Sequence, residues 1–176
     1  MSMIENDAVR LRALEPSDVD LLYAWENDMD VWRVSTTIAP ISRKALADYI
    51  KHSGLDIYQT KQLRLVIEAK GDCLTSVGLI DLFNFDPFHR RAEVGLLIAR
   101  QSDRHRGFAT NALMLMEGYA FGFLGLHQLY SNVASSNEVC LSLFAKLGYA
   151  EVGVKRDWRR TAQGWDDEVM LQRLKG

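Results

Sequence analysis

Apolar and polar positions alternate along Val9-Arg10-Leu11-Arg12-Ala13-Leu14, the period-two pattern of a half-buried strand. The period then changes. Ser17 is placed to cap a helix with Asp20 as the acidic partner of a capping box, and Val19, Leu22 and Trp25 supply its apolar face. Ser42 similarly precedes a helix carrying Ala45, Leu46, Tyr49 and Ile50, while Trp32 to Pro40 has no clean period and reads as a loop. Three strands follow at Leu63–Ala69, Ser76–Phe85 and Ala92–Ala99, separated by Lys70-Gly71-Asp72 and by a turn around Asp86-Pro87. After Gly107, Phe108, Ala112, Leu115, Met116, Tyr119 and Phe123 recur at helical spacing until Gly122 and Gly125. His127–Ala134 returns to strand character. Asn137 caps a short helix with Val139, Leu143, Phe144 and Leu147 inward, Gly148 stops it, and strands near Tyr149–Lys155 and Glu168–Leu174 form a hairpin. The order β-α-α-β-β-β-α-β-α-β-β has no repeat and no linker, which points to a mixed α/β fold with residues 1–176 as a single domain.

Composition narrows the function. Over 176 residues, 48% hydrophobic and 25% charged positions are ordinary globular usage, and a net charge of −2 offers no drive toward a phosphate backbone, so nucleic acid is not expected as a partner. The N-terminal residues are polar and acidic, unlike a signal segment, and no apolar run approaches the ~20 residues that span a bilayer. No membrane partner and a cytoplasmic location follow. Cys73 and Cys140 lie far apart, and the histidines show neither metal-ligand spacing nor a nucleophile constellation, so no metal is expected.

The candidate chemistry lies in three places. Arg104-His105-Arg106-Gly107-Phe108-Ala109-Thr110 joins a strand to an apolar helix. A glycine and a small residue there let the backbone approach a ligand, and the free N–H groups of a helix start favour an anion such as a pyrophosphate. Strand alternation places Leu79, Asp81 and Phe83 on one face, and Glu93, Gly95, Leu97 and Ala99 on one face of the next strand, so that the two acids share a cleft. The basic run Lys155–Arg160 around Trp158 reads as a solvated hairpin.

The Arg104–Thr110 segment resembles the phosphate-binding motif, Q/R-x-x-G-x-G/A, of the GNAT superfamily of acyl-CoA-dependent N-acetyltransferases. The likeness extends through Leu11–Leu14, Trp25–Asp28, Ala92–Gly95, Asn137 and Leu147–Tyr149, and is strongest to the branch of ribosomal-protein N-terminal and spermidine N-acetyltransferases. It implies a mixed, mostly antiparallel sheet, flanked by helices and splayed between the fourth strand (Ala92–Ala99) and the fifth (His127–Ala134), with acetyl-CoA in the opening. Pantetheine would pair with backbone near Leu97, Ile98 and Ala99. The pyrophosphate would meet Arg104, Arg106, Gly107, Phe108, Ala109 and Thr110, and Asn137, besides capping its helix, would bind a pantetheine amide. A primary amine, of a protein or peptide N-terminus or of a small molecule, would attack the thioester directly in a ternary complex, with Glu93 or Asp81 taking its proton through a water.

Two departures matter. Where the family commonly has a tyrosine that protonates the leaving thiolate, this chain has Phe144, which cannot donate a proton. Where spermidine enzymes carry an acidic stretch, Val34 to Lys44 has no acid and contains Arg43 and Lys44, which ranks a polyamine below other amines, received by Asp28 and lined by Trp32. A catalytically weak acyl-CoA sensor or interaction domain and a polyamine acetyltransferase remain alternatives. The resemblance also implies a homodimer.

Overall fold

The structure, a computed structural model, describes residues 4–32, 35 and 37–176. The loop expected across Trp32–Pro40 and the acid-free stretch from Val34 fall partly outside the described residues, at 33, 34 and 36.

One eight-stranded sheet, in the order β1-β2-β3-β4-β5-β6-β8-β7, organises the chain. Its strands are β1 (Ile4–Glu5), β2 (Val9–Ala13), β3 (Leu63–Ala69), β4 (Thr75–Asp86), β5 (Arg91–Ile98), β6 (Gln128–Ala134), β7 (Ala150–Thr161) and β8 (Gly164–Leu174). Neighbours are antiparallel except β5 and β6, which run parallel. The helices are α1 (Val19–Glu26), α2 (Met29–Trp32), α3 (Arg43–Ser53), α4 (Ile57–Thr60), α5 (Phe108–Glu117) and α6 (Glu138–Lys146).

Alternation along the strands sorts apolar side chains to both faces. Leu65, Ile67, Ile80, Leu82, Val94, Leu129 and Val133 meet Phe108, Ala112, Leu113 and Met116 of α5 and Phe144 of α6 on one face. Val66, Leu79 and Ala99 meet Leu22 and Trp25 of α1 and Leu46 and Ile50 of α3 on the other. Strands buried on both sides need a layer of helix on each, and the two pairs of helices supply it. The strands β4 and β5 press together so closely that a Cβ on Gly78 would lie 2.0 Å from the Leu97 carbonyl oxygen, so only glycine fits there.

Ser42 caps α3 as the sequence predicts, its Oγ accepting the Ala45 N–H at 3.1 Å. The first helical cap differs. Pro16 suits the opening position of a helix, so the turn begins before Ser17: a 3₁₀ turn spans Pro16–Asp18, and Asp18, not Asp20, accepts the Glu15 N–H at 2.8 Å. Asp20 instead pairs with Arg43 at the surface. The helix expected to run on through Phe123 changes after Glu117 to a π turn over Gly118–Phe123, with Leu124 N–H on the Tyr119 carbonyl at 3.0 Å. The wider turn rotates Phe123 outward, where it is exposed and stacks on Tyr119. Val139, expected inward, is exposed, and the one fully buried side chain of α6 is Phe144. The basic run at Lys155–Arg160 lies on a hairpin, as expected, but within its first strand: β7 continues through it to Thr161, with a register shift between Lys155 and Arg159. Its charges are paired across to β8: Lys155 with Glu168 at 2.8 Å and Arg156 with Asp167 at 2.5 Å. Arg159 of this strand also donates to the Ser35 carbonyl at 3.1 Å, 124 residues away in sequence.

A buried ion cluster ties β2 and β3 to the start of α1. Arg12 donates to both oxygens of Asp18 (2.7 and 2.9 Å) and to Glu68 (2.7 Å), and Arg10 donates to Glu68 at 2.8 Å. Burial alone would raise the Asp18 and Glu68 carboxyls, but hydrogen bonds and the charge of Arg12 outweigh it and hold both below their ordinary values. Carboxyls depressed in the folded state add stability above their unfolded pKa of about 4, and this contribution is lost as pH falls through the lower folded values. Stability from this cluster is therefore flat from pH 7 to 5 and falls below about pH 4. Replacing Arg12 by Met strands the buried Asp18 carboxylate and leaves Glu68 to Arg10 alone, at a cost of about 3 kcal/mol at pH 7. Thermal unfolding across pH 3–7 should show a lower midpoint for Arg12→Met at neutral pH and a shallower acid limb.

Candidate functional site

Strands β5 and β6 pair at Arg91–Gln128, Ala92–Leu129 and Glu93–Tyr130 and then part. Beyond that point β5 keeps β4 on one side and faces a gap on the other. Ala99 donates its N–H to Val77 at 3.0 Å, so by the alternation of an antiparallel ladder Leu97 also faces β4, while Leu96 and Ile98 present their main-chain groups to the gap. Of the three residues expected along pantetheine, Ile98 is thus the one with its backbone turned to the opening.

The gap leads to the start of α5. Gly107 sits there at φ +82°, a conformation that costs other residues strain, and the first-turn N–H groups of Phe108, Ala109 and Thr110 have no partner within the helix. The two arginines do not point to a common anion. Arg104 folds back toward the Ile98 and Ala99 carbonyls (3.3 and 3.5 Å), and Arg106 lies outward, 4.9 Å above the Phe108 ring and 3.6 Å from Asp103. An anion at this turn is met by main-chain N–H groups and the helix dipole. Across the gap, Asn137 caps α6 with Oδ1 on the Cys140 N–H (3.2 Å), which leaves its Nδ2 to donate elsewhere. Open strand edge, glycine turn and second amide together form a donor set that fits acetyl-CoA.

The two acids share a face, as alternation predicts: Asp81 lies opposite Gly95, and Phe83 opposite Glu93. Their environments differ. Both oxygens of Asp81 are held by Arg64 (2.7 and 3.1 Å), whose third nitrogen reaches Glu26 at 2.7 Å. Asp81 is therefore an ion-pair member with no oxygen left unpaired. Glu93, 9% exposed, accepts from two neutral amides, Asn84 Nδ2 and Asn132 Nδ2, each at 2.9 Å. Its negative charge is hydrogen-bonded without being cancelled by a cation. Asn84 reaches it because β4 bulges between Phe83 and Asp86, with Asn84 at φ +49°.

Beside Glu93, Tyr130 is half-buried. Burial first, and then the negative charge of Glu93, raises its phenol, which stays protonated at neutral pH. Phe144 is 1% exposed and packs edge-on against Tyr149 at 4.8 Å, within the core on the opposite face. Cys140, raised by burial to about 11, is likewise a protonated thiol. The substrate candidates are less central. Asp28 is exposed and caps α2 through the Asp30 N–H at 2.8 Å, and the Trp32 indole donates to the Glu26 carbonyl at 2.6 Å. No three His, Cys, Asp or Glu side chains converge on a metal-sized site among the described residues, and no helix there is long and apolar enough to cross a membrane.

Sequence reasoning passed over Arg64, Asn84 and Asn132. Asn132 was within reach of it, because Gln128, Tyr130 and Asn132 alternate with the buried Leu129, Ser131 and Val133.

The acetyltransferase (GNAT) domain family matches residues 8–150. The spermidine N(1)-acetyltransferase of Escherichia coli K12 is 31% identical over 147 residues, 83% of this chain and 75% of the relative. Among solved structures, spermidine N-acetyltransferase from Vibrio cholerae in complex with CoA and spermine superposes with a TM-score of 0.84 at 24% identity, over 96% of each chain. A dodecameric structure of the Vibrio cholerae enzyme gives 0.77 at 26% identity, over 96% of this chain and 95% of the other. The match over most of the chain, together with the parted strands and the glycine turn, places this protein in the GNAT family as an acetyl-CoA-dependent N-acetyltransferase.

Proposed function

We propose that the chain acetylates a primary amine with Glu93 as proton acceptor and Tyr130 as proton donor. The observation that carries this reading is the contrast between the two acids: Asp81 is neutralised by Arg64, whereas Glu93 keeps its charge among neutral amides. The neutral amine attacks the thioester carbonyl, a main-chain N–H on β5 meets the oxyanion, and the amine proton passes to Glu93 directly or through a water. The departing sulfur takes a proton from Tyr130, which stands at the last paired position before the strands part. This route supplies the proton that Phe144 cannot. Leu97, Ile98 and Ala99, with residues 104–110 and Asn137, remain the proposed cofactor contacts.

The acceptor is an amine of a peptide N-terminus or of a small molecule. The relatives named for spermidine favour a polyamine, but Arg64 occupies Glu26 and Asp81, two of the carboxylates on which a polycation would depend. The dodecameric relative supports self-association of this chain, for which the homodimer is the simplest unit, and residues 1–176 act as one catalytic domain in the cytoplasm.

Saturating acetyl-CoA should raise the unfolding temperature: at 100 times Kd it adds about 2.7 kcal/mol, or roughly 5–11 °C for a chain of this size. Glu93→Gln should lower kcat by about 10²–10⁴-fold while acetyl-CoA still produces that shift, measured by thiol release and thermal scans. A fully active Glu93→Gln protein would remove Glu93 from the mechanism. Tyr130→Phe should lower kcat at unchanged acetyl-CoA affinity and flatten the alkaline limb of the pH–rate profile. Retention of that limb would assign the proton to another donor.

A further inference from the structure

The helices on the cleft face cover the β2–β4 side of the sheet and leave the β5-β6-β8-β7 side open. There a cavity of about 480 Å³ is floored by Arg91, Gln128, Tyr130, Asn132, Lys155 and Gln172, with Met170 among them and no helix residue in its wall. It adjoins Glu93, because Tyr130 pairs with Glu93 and Asn132 donates to it.

We infer that this cavity is an acceptor subsite for an amine that also carries a carboxylate, an amino acid or a short peptide, with its ammonium toward Glu93 and its carboxylate toward Lys155. The inference rests on the acetyl-transfer reading above and names its substrate class. Charge across the cavity is divided by a single side chain: Asn132 donates to Glu93 at 2.9 Å and accepts from the Lys155 ammonium at 2.9 Å. One amide therefore separates an anionic end from a cationic end. At the cationic end Glu168 is shared by Lys155 (2.8 Å) and Arg159 (3.6 Å), and Arg159 stands opposite Asp166, which leaves Lys155 as the cation facing the cavity. Arg91, opposite Gln128 and paired with Asp86 at 3.2 Å, lies at the far end of the floor from Lys155 and is no part of that cationic end. At the other end Glu93 has only amides. A polyamine would carry a second ammonium into the cationic end. A zwitterion matches both ends. The floor also offers polar groups to a peptide unit: Gln172 Nε2 donates to Gln128 Oε1, so the Gln128 amide N–H groups are free to meet a carbonyl.

The test is a comparison of kcat/KM for glycylglycine, glycylglycinamide and 1,4-diaminobutane, with acetyl-CoA and thiol detection. The carboxylate-bearing acceptor should exceed its amide by about tenfold, the margin of a charge-assisted over a neutral hydrogen bond. That ratio should fall toward one in Lys155→Gln, with its fold checked by thermal unfolding, and persist in Arg91→Gln, whose exposed side chain lies at the other end of the floor. A ratio near one in the native protein, or a tenfold ratio that survives Lys155→Gln, overturns the subsite while leaving acetyl transfer intact. Turnover of none of the three, with the acetyl-CoA thermal shift present, overturns the subsite and leaves acetyl transfer to other amines standing.

Discussion

Two parallel strands that pair over three residues and then separate leave main-chain donors and acceptors in the middle of a sheet with no strand to meet them. Buried backbone groups are otherwise almost always paired, so such an opening persists only where something else satisfies it. The rest of the architecture serves that requirement. Helices α1 and α3 on one face and α5 and α6 on the other keep the sheet rigid on both sides of the wedge. The close approach of β4 at Gly78 anchors the edge that must not move. The glycine turn before α5 and the Asn137 cap of α6 line the wedge with donors that the fold itself does not consume.

The cleft face shows a second economy, in charge. Arg64 binds two carboxylates at once and takes them out of the chemistry, while Glu93 is held by amides that orient it without neutralising it. Among the acids named on this face, Glu93 is the one whose hydrogen-bond partners are neutral amides.

Much of this was legible in the sequence because burial imposes period. The apolar alternation of β3, β4 and β5 located the strands, and their register follows once neighbours are antiparallel, which is why Asp81 and Glu93 were placed on one face correctly. Gly107 was readable because a helix start preceded by glycine has local meaning. What escaped has a common cause: it depends on partners distant in the chain. The Arg64 ion pairs, the Asn132 bridge to Lys155 and the continuation of β7 through its basic run are set by cross-strand neighbours, and no local pattern encodes them. Asn84 needed the bulge, which interrupts the very alternation from which strands are read. The turn of Gly118–Phe123 was missed because a π turn retains an apolar spacing close to that of the helix it extends.

The bond from Arg159 to the Ser35 carbonyl joins segments 124 residues apart. Closing a loop of that length alone would carry an entropic toll, and the sheet lowers it by already bringing the two segments side by side. Arg159 belongs to an edge strand and Ser35 to the stretch that follows α2, so the rim of the cleft face is stitched together by pieces from both ends of the chain.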